Sequence, residues 1–577
     1  MSLAEHELNA LAQFLRTKKI EVRVNLEDAC ISCFITKGEI HFGLRVEFDD
    51  AFPSSLPKFY LLNRDNYGLL AHVGWGKSNY APVCIGENDA FSLNIDNPQL
   101  VLLDSLKLAV SEVTKSLTDP AYNHAELMKE FGGVWRFHTN LFSKIICIAE
   151  PLAGYQELGV KTQSEKKDGV HIANFFIAKA NSNKVNDENY FDCEWVNKKR
   201  NNQGKGIAIH IPPDCLILPP APNEPIGCWW KNQLRVLPEF LRRSLRKYAR
   251  RAKATECFLL LNTKVNSQPL WFCIRCLRNK KEKLPLHDNY IEGWEYSALV
   301  VEPISRNSLL YRSGANEGIT DAHICLIGCG SVGGHIADML ASNGVGKLTL
   351  HDPDVLKPEN LHRHNLSSNA MYLQKTTALK AQLKYKYPFL QVDADFKRLL
   401  SLKNKDLMGS FDLIILATGN VSQEKVFSEW LFTEGINTPI LSTWVEALGV
   451  GGHALMAKPG TNGCLSCTYI SNIDGQPSLD CNINFVEAGQ YVMQNYAGCG
   501  TEFLPYSNLD SVQTATIATR LATKALTEDV FSGSVVSWHG DDTLAKSKDV
   551  ELSHRFHNIP KSMKTLPIFK TECEICK

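Results

Sequence analysis

The chain of 577 residues is long enough for roughly three to four domains, each with a core of its own. Its formal net charge is zero, so composition favours neither a nucleic acid nor a membrane surface as a partner. The first residues have no basic segment followed by an apolar one, and no apolar run approaches the ~18 residues of a membrane span, so we expect a cytoplasmic protein. The eighteen cysteines are then expected to be reduced thiols that pack in cores, bind metal or act as nucleophiles.

The first section of the chain, 1–140, is predicted to be a domain of its own. Residues 5–17 and 98–117 are predicted helices, the second because its apolar side chains recur at three- and four-residue steps. Between them, β-branched and aromatic residues alternate at about period two, which predicts an antiparallel meander over the segments IEVRVNL, CISCFI and IHFGLRVEF.

The middle section, 141–304, is predicted to be a linker domain, and its pattern assigns no fold to it. The segment PPDCLILPPAPNEPIGCWW is too rich in proline for regular structure. The basic segment LRRSLRKYARRAK is predicted to be the solvated face of a helix, with a binding surface as the alternative.

The third section, 305–577, begins with a nucleotide-binding pattern. The segment HICLIGCGSVGGHIADMLASNGVGKLTLHD predicts a strand, a Gly-rich turn with Gly328, Gly330 and Gly333, a helix after Gly333, and a second strand. Asp352 at the end of the second strand is placed to bind ribose hydroxyls. The pattern predicts a doubly wound α/β domain, and by itself it indicates NAD or FAD as readily as ATP.

The residues that follow favour ATP. The segment DPDVLKPENLHRHNL resembles the signature of the ThiF/MoeB/ubiquitin-activating adenylyltransferase family. The resemblance implies that Asp354 and Asn360 contribute to the nucleotide site, and that Arg363 and Lys375 are catalytic. A dehydrogenase has no need of cations here, whereas carboxylate attack on the α-phosphate builds negative charge that these two residues can stabilise.

Two further features of the family concern the dimer and the metal. The family supplies an arginine across a homodimer interface, and Arg312 is the residue that matches it. The family also has an aspartate that helps to hold Mg²⁺, whereas this chain has Gly419 at that place. Asp352 or Asp354 would then bind Mg²⁺ through water, or ATP itself would hold most of it. Loss of adenylation is the alternative.

Two CxxC pairs predict a structural Zn²⁺ site. They are Cys464 with Cys467 and Cys573 with Cys576, and four thiolates suit tetrahedral zinc. The separation of about a hundred residues is looser than in a zinc finger, but the ThiF/MoeB family places its two pairs at these points. Unligated surface pairs are the alternative.

The same resemblance implies a cysteine between the zinc pairs that takes the acyl group from the adenylate. Cys499, which precedes a predicted long helix, matches that cysteine, and Cys481 is its competitor. A cysteine that only packs in the core is the alternative to both.

The first section resembles ubiquitin-conjugating enzymes, which implies an α+β fold and a second acyl-carrying thiol. FDDAFPSSLPKFYLL is similar to the end of their β-meander, and His72 followed by Pro82-Val83-Cys84-Ile85 is similar to their active-site stretch. The resemblance makes Cys84 the thiol. The family's His-Pro-Asn is not intact, so Asn79 or Asn88 would have to stabilise the oxyanion. An ordinary loop cysteine is the alternative.

The order of these sections resembles the bacterial fusion enzymes of CBASS antiphage operons. The resemblance implies that the chain adenylates the free C-terminus of a cGAS-like nucleotidyltransferase, passes it from Cys499 to Cys84, and joins it to an amine of a target protein. It also implies ATP, Mg²⁺ and Zn²⁺ and a homodimer. Three alternatives stay open at this point: a ThiF-like enzyme of sulfur transfer or cofactor biosynthesis, an NAD-dependent oxidoreductase, and a binding module on a degenerate scaffold.

Overall fold

The computed structural model of the chain forms two compact units. The first unit holds the described residues up to 304, and the second holds those from 306 onward. The structure describes residues 4–74, 79–86, 93–148, 153–167, 170–180, 203–221, 223–265, 268–304, 306–387, 389–471, 474–495, 502–528, 533–559 and 564–576.

The first unit begins with an antiparallel sheet whose strands follow one another in chain order. Its strands are β1 (Glu21–Asn25), β2 (Cys30–Lys37), β3 (Ile40–Glu47), β4 (Lys58–Leu62) and β5 (Tyr80–Val83). The helices of this part are α1 (Glu5–Thr17), α2 (Pro98–Thr118), α3 (Pro120–Lys129) and α4 (Phe131–Phe137). Alternate residues of β3 are buried, and Leu44 packs with Leu15 of α1 and Leu106 of α2 in one core. The predicted helix, meander and second helix are confirmed.

The rest of the first unit is a closed barrel, which the sequence did not predict. Its strands are β6 (Thr139–Ile148), β7 (Tyr155–Lys167), β8 (Val170–Ala180), β9 (Gln203–His210), β10 (Lys253–Val265), β11 (Gln268–Lys283) and β12 (Glu295–Pro303). They pair in the order β10-β11-β12-β6-β8-β7-β9. Two helices connect β9 to β10, namely α5 (Ile226–Val236) and α6 (Glu239–Arg251). Helix α6 confirms the predicted basic helix.

The expectation of irregular structure in the proline-rich segment was wrong for its last residues, which begin α5. Pro225 is the N-cap of this helix, where a proline takes away no intrahelical hydrogen bond. Trp229 of α5 packs against Phe131 and Trp135 of α4 and Phe272 of β11. Helix α4 therefore contributes to the barrel core, although it lies before the boundary predicted at residue 140, and that boundary stays a prediction.

The second unit contains a mixed sheet in the order β15-β14-β13-β16-β17-β18-β21-β22, parallel from β15 to β17. The strands of this unit are β13 (His323–Ile327), β14 (Lys347–His351), β15 (Gln391–Asp395), β16 (Leu413–Leu416), β17 (Ile440–Val445), β18 (Gly451–Ala457), β19 (Gln494–Asn495), β20 (Glu502–Phe503), β21 (Ser534–His539) and β22 (Leu566–Pro567). Its helices are α7 (Arg306–Ser313), α8 (Ser331–Ser342), α9 (Lys375–Lys386), α10 (Lys405–Gly409), α11 (Val421–Thr433), α12 (Asn508–Thr527), α13 (Thr543–Ser547) and α14 (His554–Asn558).

Helices cover both faces of this sheet. Ile324 and Leu326 of β13 share a core with α8, α9 and α12, whereas Cys325 and Ile327 share another with α11. A parallel strand buried on both faces is continuously apolar, as β13 is. The predicted doubly wound α/β fold is confirmed. In the described part of the chain, no helix has both the length and the apolar character that a membrane crossing requires.

The Gly-rich turn joins β13 to α8 at the point where the strand order reverses. Gly328 has φ of +95°, and a Cβ on Gly333 would stand 1.9 Å from the carbonyl oxygen of Gly328. The sequence predicted a helix that begins after Gly333. The helix begins earlier, at Ser331, so Gly333 lies in its first turn. Since β14 and β16 flank β13, a crevice opens at the carboxyl ends of these strands.

Candidate active site

A cavity of about 1350 Å³ occupies that crevice in the second unit. Gly330 and Ser331 of the Gly-rich turn line it together with Asn360, Arg363 and Lys375. The N-terminus of α8 therefore faces the cavity with free N–H groups and the positive end of its dipole, which favours an anion such as a phosphate. Four of these residues were selected from the sequence, namely Gly330, Asn360, Arg363 and Lys375, and they line one cavity.

Asp352 fastens the Gly-rich turn to the end of β14. One carboxylate oxygen accepts the Cys329 N–H at 2.7 Å, and the other accepts the Asp354 N–H at 2.8 Å. The side chain is only 6% exposed, and this burial raises the pKa of Asp352 while the nearby Lys375 charge opposes the rise. Binding of a ribose by Asp352 stays a prediction.

Two cations line the cavity beyond the turn. Lys375 is the first residue of α9; its side chain is 10% exposed, and its Nζ lies 3.0 Å from a carboxylate oxygen of Asp354. The Arg363 guanidinium lies over the ring of Tyr506, 5.2 Å from the centroid, and the Tyr506 hydroxyl is 2.8 Å from Ser331 Oγ. The Oδ1 atom of Asn360 accepts the N–H of Lys357 at 3.1 Å.

Glu424 of α11 supports the loop that carries Gly419, and the sequence analysis did not find it. One oxygen of its carboxylate accepts both the N–H of Thr418 at 2.8 Å and the hydroxyl of Thr418 at 2.6 Å. Glu424 is buried, and burial raises its pKa to about 7 against the effect of these hydrogen bonds. Thr418 and Gly419 line the cavity. An acidic residue in the first turn of the helix after the strand was the signal available in the sequence.

The four predicted zinc ligands come together. Their sulfur atoms all lie within 4.8 Å of one another, and the side chains are buried. The Cys464 and Cys573 sulfurs are 3.6 Å apart, and those of Cys467 and Cys576 are 3.4 Å apart. Four converging thiols at these separations match the donor set and the size of a tetrahedral zinc site.

Two cysteines of the second unit, Cys499 and Cys481, are candidates for the nucleophile, and the structure describes only Cys481. Cys499 lies outside the described residues. Cys481 lines the cavity but is buried, and burial raises the pKa of its thiol to about 11. A thiol with this pKa is protonated near neutral pH and is therefore a poor nucleophile.

In the first unit Cys84 is exposed, immediately after β5. Its N–H donates to the carbonyl oxygen of His72 at 2.7 Å. His72 has φ of +60°, its N–H donates to one oxygen of Glu130 at 2.8 Å, and its Nδ1 lies 2.7 Å from the other. That contact raises the pKa of His72, in opposition to burial, and Glu112 and Glu126 lie 3.8 Å and 3.5 Å from Nε2.

Three other residues selected from the sequence remain unassigned by the geometry. The Asn79 amide donates to Asn63 Oδ1 at 3.3 Å, and Asn88 lies outside the described residues. Arg312 lies in α7, with its side chain outside the described part of the structure.

Comparison with known families matches both ends of the chain. Residues 304–528 match the ThiF family, and residues 8–143 match the prokaryotic E2 family B. The chain is therefore a fusion of an E2-like amino-terminal domain and a ThiF domain, which confirms the resemblance to activating and conjugating enzymes and the fold class predicted for the two domains.

Three similar curated proteins share one description. The chain is 31% identical over 249 residues to the "ATP-dependent ubiquitin transferase-like protein Cap2" of Pseudomonas aeruginosa, and 27% identical over 229 residues to that of Escherichia coli. These matches cover 42% and 38% of this chain and 43% and 38% of the relatives, so the chain spans about two fifths of their length. The Cap2 protein of Vibrio cholerae is 22% identical over 84% of this chain and 86% of its own.

The buried carboxyl group of Glu424 makes stability depend on pH. Its folded pKa of about 7 exceeds the ordinary value of 4.5, so the folded chain binds more protons than the unfolded chain between these values. The contribution of Glu424 to the free energy of unfolding therefore falls as pH rises from about 4.5 to 7 and then levels off. The glutamine of Glu424→Gln cannot ionise. The free energy of unfolding of this variant, relative to that of the wild type, therefore rises by up to about 3 kcal/mol as pH increases across this range.

Denaturant unfolding of both proteins at pH 5 and pH 8 measures this difference. Glu434→Gln removes an exposed carboxylate from the other end of the same helix and is the matched control. A stability difference between Glu424→Gln and wild type that does not change with pH would contradict the proposed protonation.

Proposed function

We propose that this chain is an ATP-dependent protein ligase that activates the carboxyl terminus of one protein and joins it to an amine of another. The observation that carries the proposal is the pair of cations, Lys375 and Arg363, in the cavity that begins at the Gly-rich turn. The ThiF and E2-like domains in one chain, and the likeness to ATP-dependent ubiquitin transferase-like proteins, support it.

In the first step a substrate carboxylate attacks the α-phosphate of ATP. The bond between the α- and β-phosphates breaks, pyrophosphate leaves, and an acyl adenylate remains. The N-terminus of α8, Lys375 and Arg363 stabilise the negative charge that develops on the phosphates. Mg²⁺ bound with the nucleotide would neutralise part of that charge. Both oxygens of Asp352 already accept backbone N–H groups. Asp354, whose side chain is 66% exposed and contacts Lys375 through one oxygen, would therefore hold the metal.

The next steps move the acyl group between thiols. The Cys499 thiolate attacks the carbonyl of the adenylate and AMP leaves. Met493 and Glu502, on either side of the stretch with Cys499, line the cavity, and this supports Cys499 as the acceptor. The Cys84 thiolate then attacks the thioester and releases Cys499, and a target amine finally forms the amide at Cys84. The exposure of Cys84 supports its part.

The substrate that we propose is the free C-terminus of a cGAS-like nucleotidyltransferase, in a cytoplasmic antiphage system. The resemblance to the fusion enzymes of CBASS operons and the likeness to Cap2 proteins support this assignment. We further propose that the enzyme works as a homodimer in which Arg312 completes the nucleotide site of the partner. Zn²⁺ held by Cys464, Cys467, Cys573 and Cys576 would join the segment after β18 to the end of the chain.

Lys375→Ala is expected to lower ATP–pyrophosphate exchange by about 100-fold or more. The exchange is measured with the proposed substrate, a cGAS-like nucleotidyltransferase encoded in the same operon. The physical reason is the loss of a buried cation beside the phosphates. Lys386→Ala removes an exposed cation from the other end of α9, where it pairs with Asp338, and should leave exchange unchanged. Tight binding of NAD⁺ by the wild type without any exchange would refute adenylation.

The order of the relay can be measured by intact mass spectrometry after incubation with ATP and the same substrate. We expect Cys84→Ala to retain an acyl group on Cys499, and Cys499→Ala to carry none on either cysteine. Cys228→Ala, which removes another exposed cysteine, is the control and should behave as wild type. Full transfer to a target protein by Cys84→Ala would instead favour a ThiF-like enzyme of sulfur transfer or cofactor biosynthesis.

Zinc is expected at about one ion per chain by elemental analysis of the purified protein. Cys573→Ser should lose the metal and lower the melting temperature of the protein, because three thiolates hold zinc less well than four. Cys228→Ser should keep the metal. A wild-type protein that is purified without chelators and contains no zinc would contradict the assignment.

A further inference from the structure

The cavity of the second unit extends well beyond the nucleotide end. It continues along the carboxyl ends of the parallel strands, from the Gly-rich turn after β13, past Gly419 after β16, to Glu446 after β17. Neighbouring strands lie about 4.8 Å apart, so β17 is roughly 10 Å from β13. At the far end the lining residues include Asn484 and Arg555. A cavity of about 1350 Å³ has room for more than a nucleotide.

Arg555 stands at this far end with unused hydrogen-bond donors. Its Nε and Nη2 atoms are buried and have no hydrogen-bond partner in the described structure. The short helix that carries it is held in place, because the N–H of Ser553 donates to the carbonyl of Phe485 and the Ser553 hydroxyl donates to the carbonyl of Asn484, both at 2.7 Å. The backbone next to Arg555 is therefore held by the fold, while the Nε and Nη2 donors have no partner among the described residues.

Among the described residues, no carboxylate acts on the charge of Arg555. Burial lowers its pKa, and the Cys481 thiol opposes this effect. Burial raises the pKa of the Cys481 thiol to about 11, so Cys481 is neutral near pH 7. Glu446 lines the same cavity, but its Oε1 already faces the Nε2 of His453 at 2.9 Å and accepts the N–H of Phe485 at 2.8 Å. A buried cation without an anion is costly unless a ligand supplies the anion.

We propose that Arg555 binds a carboxylate side chain of the acyl substrate, a few residues before its reacting C-terminus. The inference rests on the proposed function and names the sequence feature that the site selects. The Nε and Nη2 atoms form one edge of the guanidinium, and this edge matches the two oxygens of a carboxylate once the side chain turns toward the cavity that it lines. The phosphates of ATP belong at the other end, with the Gly-rich turn and Lys375. An extended peptide advances about 3.3 Å per residue, so a span of roughly 10 Å places the acidic residue about three positions upstream.

Binding of stable acyl-adenylate mimics to the full chain tests this proposal. The probes are 5′-O-sulfamoyladenosine and its conjugates with pentapeptides that end in glycine, with glutamate at each of the four other positions in turn and glutamine as the matched neutral residue. Isothermal titration calorimetry gives the Kd of each. We expect one position, near the third before the terminus, at which glutamate binds about 10-fold or more tightly than glutamine.

Arg555→Met keeps most of the side-chain volume and is expected to abolish that preference while the Kd of unconjugated sulfamoyladenosine stays unchanged. The second measurement also shows that the variant is folded. Arg555→Lys keeps the charge but not the two-nitrogen edge, so it should recover only part of the preference. Arg520→Met, which removes an exposed arginine of α12, is the control and should retain it in full.

Two results would overturn the inference alone: no preference for glutamate in the wild type, or a preference that survives in Arg555→Met. In both cases sulfamoyladenosine still binds, so the adenylation site stands. Failure of every probe to bind the wild type, the unconjugated compound included, would instead reject the proposed function and the inference with it.

Discussion

The two hydrogen bonds that Asp352 accepts determine the nucleotide end of the site. The hydrogen bond from Cys329 joins the Gly-rich turn after β13 to the end of β14, and the hydrogen bond from Asp354 holds the loop that follows β14. The turn can lie this close only because Gly328 has positive φ and Gly333 has no side chain to meet the carbonyl of Gly328. Helix α8 consequently begins directly over the crevice, and Asp354, next to this anchor, holds Lys375 at the cavity wall.

Buried charges in the second unit are compensated in three different ways. Lys375 has the carboxylate of Asp354, and Glu424 has the hydrogen bonds of Thr418 together with a pKa of about 7. The Nε and Nη2 atoms of Arg555 have no hydrogen-bond partner among the described residues, and no described carboxylate acts on its charge. The first two arrangements shape the cavity wall without a ligand, whereas the third becomes favourable only when a ligand brings an anion. The cavity is therefore complete at the end proposed for the nucleotide and incomplete at the end proposed for the acyl substrate.

Local patterns in the sequence predicted the parts of the fold that local geometry determines. The Gly-rich turn, the buried strands around it and the amino-terminal meander belong to this class, because their residues are neighbours in the chain. The barrel does not, since β6 pairs with β8 and with β12, across a long sequence separation. The contact between Glu130 and His72 could not be predicted for the same reason, because the two residues are far apart in the chain and meet only when α2 and α3 pack on the sheet. The cysteine pairs could be joined from sequence only through a family resemblance, since about a hundred residues separate them.

The two proposed reaction centres differ in charge, and this difference suits the chemistry assigned to each. Cations and a helix N-terminus surround the adenylation cavity, where phosphate charge develops and pyrophosphate leaves. Beside Cys84, three carboxylates surround one histidine, so negative charge is in excess even when His72 is protonated. Such an excess attracts a protonated amine, and a carboxylate can act as the base that accepts the proton which the amine must lose before it attacks a thioester. A chain with zero net charge thus separates its charges in a way that suits the step proposed for each domain.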